Sequence, residues 1–313
     1  MKTILITGSN GLLGQKIVYA LVKRNNVRII ATSLGENRMI HTAGYTYESL
    51  DITDKNQVQQ ILIKYKPDTV INTAAMTNVD ACESKKEECF AINVTAVQHF
   101  VNVISDTTLD LSACHFIHLS TDFIFDGEKG SEYVETDTPN PLSQYAISKL
   151  ESEKILLKST ILWAIARTII VYGTTENMSR TNIVLWAKDA LTKKQKINVV
   201  DDQFRAPTLA EDLADGCIRI ADKKVTGIFH LSGPTTMSIL ELVYCVADFW
   251  NLDKTLITPS KSNNINQPAK RPARTGFVIE KARKELGYHP HSFEEGLKIL
   301  DEQLNVPVNS AKI

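Results

Sequence analysis

Cysteine is sparse and unpaired in this 313-residue chain: Cys82, Cys89, Cys114, Cys217 and Cys245 are odd in number and scattered, with no Cys-x-x-Cys pair. That usage argues against a cysteine-held metal and fits buried thiols in a reducing compartment. No metal is expected. An excess of either charge is missing as well. With 35 basic and 36 acidic residues, no global field recruits nucleic acid or an anionic membrane. No apolar run reaches membrane-spanning length, no repeat or low-complexity tract stands out, and the first residues already read as a strand rather than a signal peptide. These absences lead to the expectation of a soluble, cytoplasmic protein with neither nucleic acid nor membrane as partner. The hydrophobic content of 43% is ample for a packed core.

What is present begins at Lys2–Gly14, KTILITGSNGLLG. Thr3–Ile6 is a short apolar run without alternation, the pattern of a strand buried on both faces of a parallel sheet. Gly8, Gly11 and Gly14 follow in the spacing Gly-x-x-Gly-x-x-Gly, and Leu12, Leu13, Ile17, Val18, Leu21 and Val22 then recur at helical period. Strand, glycine turn and helix in that order predict a dinucleotide site. Gly8 permits the tight turn, Gly11 the approach of a pyrophosphate and Gly14 the packing of helix on strand, with N–H groups at the helix end facing phosphate. Asn10, Leu12 and Leu13 belong to the same cofactor-binding loop.

Further along, apolar strands at Val27–Thr32, Tyr45–Leu50, Thr69–Asn72, His115–Ser120 and Leu162–Val171 alternate with helices at Lys55–Lys66, from about Val79, over Phe90–Ile104 and over Gln144–Leu157. The alternation predicts an α/β fold, a Rossmann-type doubly wound parallel sheet, with a topological switch beside the glycine loop. It thins after Gly173. Residues 1–172 and 208–231 are therefore assigned to the dinucleotide-binding domain, and 173–207 and 232–313 to a smaller substrate-binding domain. The polar stretch Lys261–Pro268 reads as a surface loop or lid.

Tyr145 and Lys149 stand four apart on a predicted helix and share a face. An ammonium near a phenol favours phenolate and makes the tyrosine a usable proton donor or acceptor. Tyr19 and Lys23 have the same spacing, however, so spacing alone does not select the pair. Context does: the strand before Tyr145 delivers Ser120 and Thr121 to the carboxyl edge of the sheet, where a hydroxyl can bind a carbonyl oxygen. Cofactor choice is read at the end of the second strand, Ala31-Thr32-Ser33, which has no carboxylate. The hydroxyls of Thr32 and Ser33 and the nearby Arg38 predict NADPH as cofactor, with NADH also usable.

On these and further motifs the chain resembles the extended short-chain dehydrogenase/reductases, and within them the dTDP-4-dehydrorhamnose reductase family. The motifs are TGSNGLLGQ at 7–15, LDITD at 50–54, NTAAMTNVDACE at 72–83, STDFIFDG at 120–127, PNPLSQYAISKLESE at 139–153, RTIIVYG at 167–173, VVDDQFRAPT at 199–208 and RPAR at 271–274. The resemblance implies that Thr121, Tyr145 and Lys149 are catalytic and that Asp51, Ile52, Ala74 and Ala75 help hold the dinucleotide. It also implies that Thr77, Val79 and Asp80 border a nucleotide-sugar substrate, a 4-keto-6-deoxy sugar reduced by hydride transfer with Tyr145 as proton donor. Asn182 and Arg271 are further candidates for the diphosphate or the sugar.

The chain departs from that pattern in three places. Ile169-Ile170 stand where an aromatic platform is common, Phe123 where Tyr is usual, and Arg205 where Gly is usual. These changes predict an altered sugar pocket, with Arg205 adding bulk and charge to its wall. Two alternatives remain open at this point: a non-catalytic NADP-binding regulatory subunit of the methionine adenosyltransferase type, and a sugar-nucleotide epimerase. A homodimer is a further expectation for the chain.

Overall fold

The computed structural model describes residues 1–178, 180–264 and 267–305. The first half of the sheet is built from β1 (Lys2–Thr7), α1 (Leu12–Val22), β2 (Val27–Ser33), β3 (Thr46–Ser49), α2 (Lys55–Tyr65) and β4 (Thr69–Asn72). Next come α3 (Val79–Ser84), α4 (Lys86–Phe90), α5 (Ala96–Ile104), β5 (His115–Thr121), α6 (Gln144–Lys158) and β6 (Leu162–Thr168). The chain then leaves the sheet through β7 (Val171–Tyr172), α7 (Ile183–Thr192), β8 (Ile197–Val200), β9 (Phe204–Arg205) and β10 (Thr208–Leu209), and returns through α8 (Ala210–Lys223) and β11 (Gly227–His230). β12 (Met237–Ser238), α9 (Ile239–Phe249), β13 (Ile257–Ser260), β14 (Arg274–Thr275), α10 (Glu280–Leu286) and α11 (Phe293–Asn305) complete it.

Seven strands form one parallel sheet in the order β11-β6-β5-β4-β1-β2-β3. The chain moves outward from β1 to β2 and β3, then crosses back to place β4 on the other side. The crevice where the order reverses lies between β1 and β4, at the carboxyl ends that carry the glycine loop. Both faces of β1 are covered, which explains its unbroken apolar run. Ile4 and Ile6 pack with Ile17, Val18 and Leu21 of α1 and with Leu213 and Cys217 of α8. Leu5 packs on the opposite face with Val58 and Leu62 of α2 and Phe100 of α5. A third apolar cluster joins Val184 and Ala187 of α7, Leu242 and Val246 of α9, and Leu297 and Leu300 of α11.

Two expected elements differ. The helix foreseen over Phe90–Ile104 is interrupted by a π turn at Ala91–Thr95, a feature that inserts one residue into a helix. Within it lies Asn93, a buried amide whose Nδ2 donates to the Met76 carbonyl and to Ser148 Oγ, while its Oδ1 accepts from the Met76 N–H. The strand foreseen over Leu162–Val171 breaks after Thr168. Ile170 takes φ +28°, and Val171–Tyr172 leave the main sheet to pair with Thr208–Leu209. The run is apolar throughout, so hydrophobicity alone could not reveal the break. The lid expected at Lys261–Pro268 includes Ile265 and Asn266, which lie outside the described residues.

Candidate active site

The glycine loop has the geometry of a phosphate cradle. Gly8 adopts φ +68°, and a Cβ there would lie 2.8 Å from the Ala74 nitrogen. A Cβ on Gly14 would lie 2.3 Å from the Gly8 carbonyl oxygen, so both positions exclude a side chain for reasons of backbone contact. α1 starts at Leu12 behind Gly11, with neither a side-chain cap nor an acidic residue in its first turn. The N–H groups of that first turn are thus left for an anion. Beside them, the buried Ser9 hydroxyl has no partner. An orphaned hydroxyl, an uncapped helix end and a side-chain-free turn together suit the pyrophosphate of a dinucleotide.

Asn10 organises the loop that follows β2. Its Nδ2 donates to the Glu36 carbonyl at 2.8 Å and its Oδ1 accepts from the Arg38 N–H at 2.9 Å. Arg38 itself is exposed and Ser33 half-buried. Thr32 is not available to a 2′-phosphate: it is wholly buried and donates to the Ile6 carbonyl. The loop is clasped from the far side by Glu176, whose carboxylate accepts from Tyr19 at 2.6 Å and from the Ile40 N–H. Tyr19, the spacing control for Tyr145, is thereby a structural tyrosine.

Asp51 follows β3 and accepts from the Thr53 N–H and hydroxyl, with Ile52 buried behind it. Ala74 and Ala75 follow β4, where the Ala74 N–H reaches Thr7 Oγ1 at 3.3 Å.

Thr121 ends β5, and Tyr145 and Lys149 lie one turn apart on α6, whose start is capped by Ser143. Burial pushes the Tyr145 phenol above its ordinary value; the neighbouring Thr121 hydroxyl opposes this, and Asp122 adds to it. Burial lowers Lys149 to about 8, against the nearby charge of Glu153 and then Cys89. The expected lowering of the tyrosine by the lysine is not what this ligand-free geometry gives. The Lys149 ammonium is engaged elsewhere, 3.2 Å from His118 Nε2. His118 Nδ1 in turn lies 3.1 Å from Asn72 Nδ2, and Asn72 Oδ1 accepts from Thr7 at 2.6 Å. A buried polar chain therefore runs from the lysine back to the glycine-loop strand.

Asp80 of α3 and Arg271 pair with each other at 2.7 Å. Burial raises Asp80, but the Arg271 hydrogen bond and the Ala269 N–H together bring it below its ordinary value. Val79 opens α3, and exposed Thr77 accepts from Arg180 at 3.0 Å. Asn182 is not free for substrate. Its Oδ1 caps α7 at the Leu185 N–H and its Nδ2 donates to the Gly173 carbonyl at 2.7 Å. The departures also fall differently from expectation. Ile169 is fully buried, Ile170 packs on two apolar clusters, and Arg205 is 2% exposed, so it places no charge on a pocket wall.

Sequence reasoning missed Asn93, His118, Arg180 and Glu176. A lone amide in an apolar helix and a histidine inside an apolar strand were visible signals for the first two. Glu176 gives none, because its partners Tyr19 and Ile40 are 157 and 136 residues away.

The family model described as RmlD substrate binding domain matches residues 1–305. A dTDP-4-dehydrorhamnose reductase of Aggregatibacter actinomycetemcomitans is 30% identical over 95% of this chain and 98% of its own length. The methionine adenosyltransferase 2 subunit beta of Bos taurus is 28% identical over 82% of this chain and 75% of its own. Among solved structures, a dTDP-4-dehydrorhamnose reductase from Clostridium acetobutylicum superimposes with a TM-score of 0.85 at 29% identity, covering 97% of this chain and 100% of the other.

Proposed function

Because this chain belongs to the RmlD substrate-binding-domain family, we propose that it reduces the 4-keto group of a 6-deoxy nucleotide sugar with NADPH, Tyr145 serving as proton donor. The observation that carries the reading is the meeting of Thr121 and Tyr145 at the carboxyl edge of β5, with Lys149 beneath and the phosphate cradle of β1 two strands away. Gly8, Ser9, Gly11 and the first turn of α1 hold the pyrophosphate, and the Asn10-ordered loop with Ser33 and Arg38 receives the adenosine end. Once bound, NADPH supplies the hydride to the carbonyl carbon. Tyr145, kept protonated by burial, gives its proton to the oxygen as negative charge develops there. The Lys149 ammonium, which rests 3.2 Å from His118 Nε2, swings toward Tyr145 to stabilise the phenolate that remains. Thr121 needs only rotation of its O–H, now donated to Asp122 at 3.1 Å, to turn a donor toward the carbonyl. Arg271 and Arg180 offer guanidinium groups to the diphosphate at the mouth of the site.

Steady-state assays over a panel of nucleotide 4-keto-sugars, following NADPH consumption, test this. Turnover of at least one member is expected, dTDP-4-dehydrorhamnose among them; inactivity on every member in a folded, NADP-binding protein would overturn it. The similarity to methionine adenosyltransferase subunits supports a second reading, a dinucleotide-binding regulatory subunit. That reading requires a change in the activity of an added methionine adenosyltransferase.

A further inference from the structure

Arg205 is a buried cation that no expected role uses. Its guanidinium donates to the Phe204 carbonyl at 2.7 Å, the Ala273 carbonyl at 3.3 Å and the Pro272 carbonyl at 2.6 Å. Its Nε faces Asp122 Oδ2 at 3.6 Å, and the same oxygen accepts from Thr275. The other carboxylate oxygen, Oδ1, accepts from Thr121. The guanidinium also lies over the Phe123 ring at 5.3 Å, and Phe123 meets Tyr145 edge-on at 6.1 Å between centroids. One side chain thus touches two segments at once. The first is the 272–273 backbone, which leads directly from Arg271, the partner of Asp80. The second is Asp122, which holds the hydroxyl of Thr121.

We propose that Arg205 is a positioning residue that sets two parts of the site together: the substrate-facing Arg271, through the carbonyls of Pro272 and Ala273, and the Thr121 hydroxyl, through Asp122. The proposal rests on the reductase reading for the identity of the substrate. Its physical basis is that five directional donors in a rigid fork can fix several backbone carbonyls and a carboxylate simultaneously. A buried Asp122 deprived of that cation is left as an unpaired charge; it takes up a proton and can then donate to Thr121 instead of accepting from it.

Three variants separate the two arms. Arg205→Lys keeps a charge beside Asp122 but cannot hold the three carbonyls, so the KM for nucleotide sugar rises about tenfold while kcat stays within about threefold. Arg205→Met loses both, and kcat also falls about tenfold or more. Adding Asp122→Asn to Arg205→Met restores an uncharged acceptor for Thr121, so kcat recovers and KM does not. The Kd for NADPH, read by fluorescence titration, is expected to stay within about twofold of the unaltered protein throughout. A parallel loss of NADPH affinity, equal effects of Arg205→Lys on kcat and KM, or no kcat recovery in the double variant would overturn the proposal. If Arg205→Met fails to fold, the Arg205→Lys split decides. If the unaltered protein reduces no keto-sugar, the reductase reading fails, and the Kd for dTDP in Arg205→Lys still decides the arginine arm: about tenfold weaker binding supports it and unchanged binding overturns it.

Discussion

The Nζ of Lys149 lies 3.2 Å from Nε2 of His118, deep beneath the half-buried Tyr145. A lysine that is 2% exposed and hydrogen-bonded to a histidine, rather than directly paired with a carboxylate, pays for its charge in desolvation. Burial lowers its pKa to about 8, and burial likewise holds His118 well below its ordinary value and therefore neutral.

A pH dependence follows for Lys149. Tyr145 stays protonated through this range because burial raises it, so the alkaline loss of activity belongs to the lysine. Reduction is expected to decline as pH rises through about 8. In Lys149→Arg, whose guanidinium stays charged, the decline should vanish even if the rate is lower. The stability sign is opposite. The unfolded chain binds this proton up to its ordinary pKa of 10.5 and the folded protein only to about 8, so the lysine's penalty, full below 8, is relieved as pH rises to 10.5. Urea melts of the unaltered protein against Lys149→Met should show that relief only in the former.

Arg167 and Glu153 form a doubly hydrogen-bonded ion pair at 2.7 and 3.0 Å, with side chains 3% and 0% exposed. Removing one partner strands a charge in the interior. Arg167→Met is expected to cost about 3–5 kcal/mol of stability, measured by chemical denaturation. A loss below about 1 kcal/mol would mean that Glu153 finds another partner or a proton at little cost.

The glycine loop gives a paired test. Gly14→Ala drives a Cβ to 2.3 Å from a backbone oxygen and 2.7 Å from Ser9 Cα, neither of which can yield without moving the turn. NADPH binding should be lost. Gly35→Ala meets nothing within 4 Å, and its only penalty is φ +78°, about 1–2 kcal/mol. Retained NADPH affinity in Gly14→Ala would dismiss the cradle.

The inner strands of the sheet were legible because they are buried on both faces, and the helices because they are buried on one, so period and length mark each element. Thr121, Tyr145 and Lys149 could be placed at one sheet edge for the same reason: strand end and helix face are local properties. The capping role of Asn182 was not legible, because an amide that caps a helix looks, in sequence, like one that binds a sugar. Arg205 was misjudged because its neutralising partners, Asp122 and the carbonyls at 272–273, arrive from distant segments that only the fold brings together.

The central claim is that Tyr145 donates the proton in a net reduction. Its most direct test is single-turnover reduction of dTDP-4-dehydrorhamnose by NADPH, followed as nucleotide oxidation and as alcohol formed, in the unaltered protein, Tyr145→Phe and Tyr19→Phe. One NADPH is expected to be consumed per alcohol, with a rate at least about 100-fold lower in Tyr145→Phe, NADPH affinity intact, and a normal rate in Tyr19→Phe. Sugar conversion without NADPH consumption, or an undiminished rate in Tyr145→Phe, would contradict it.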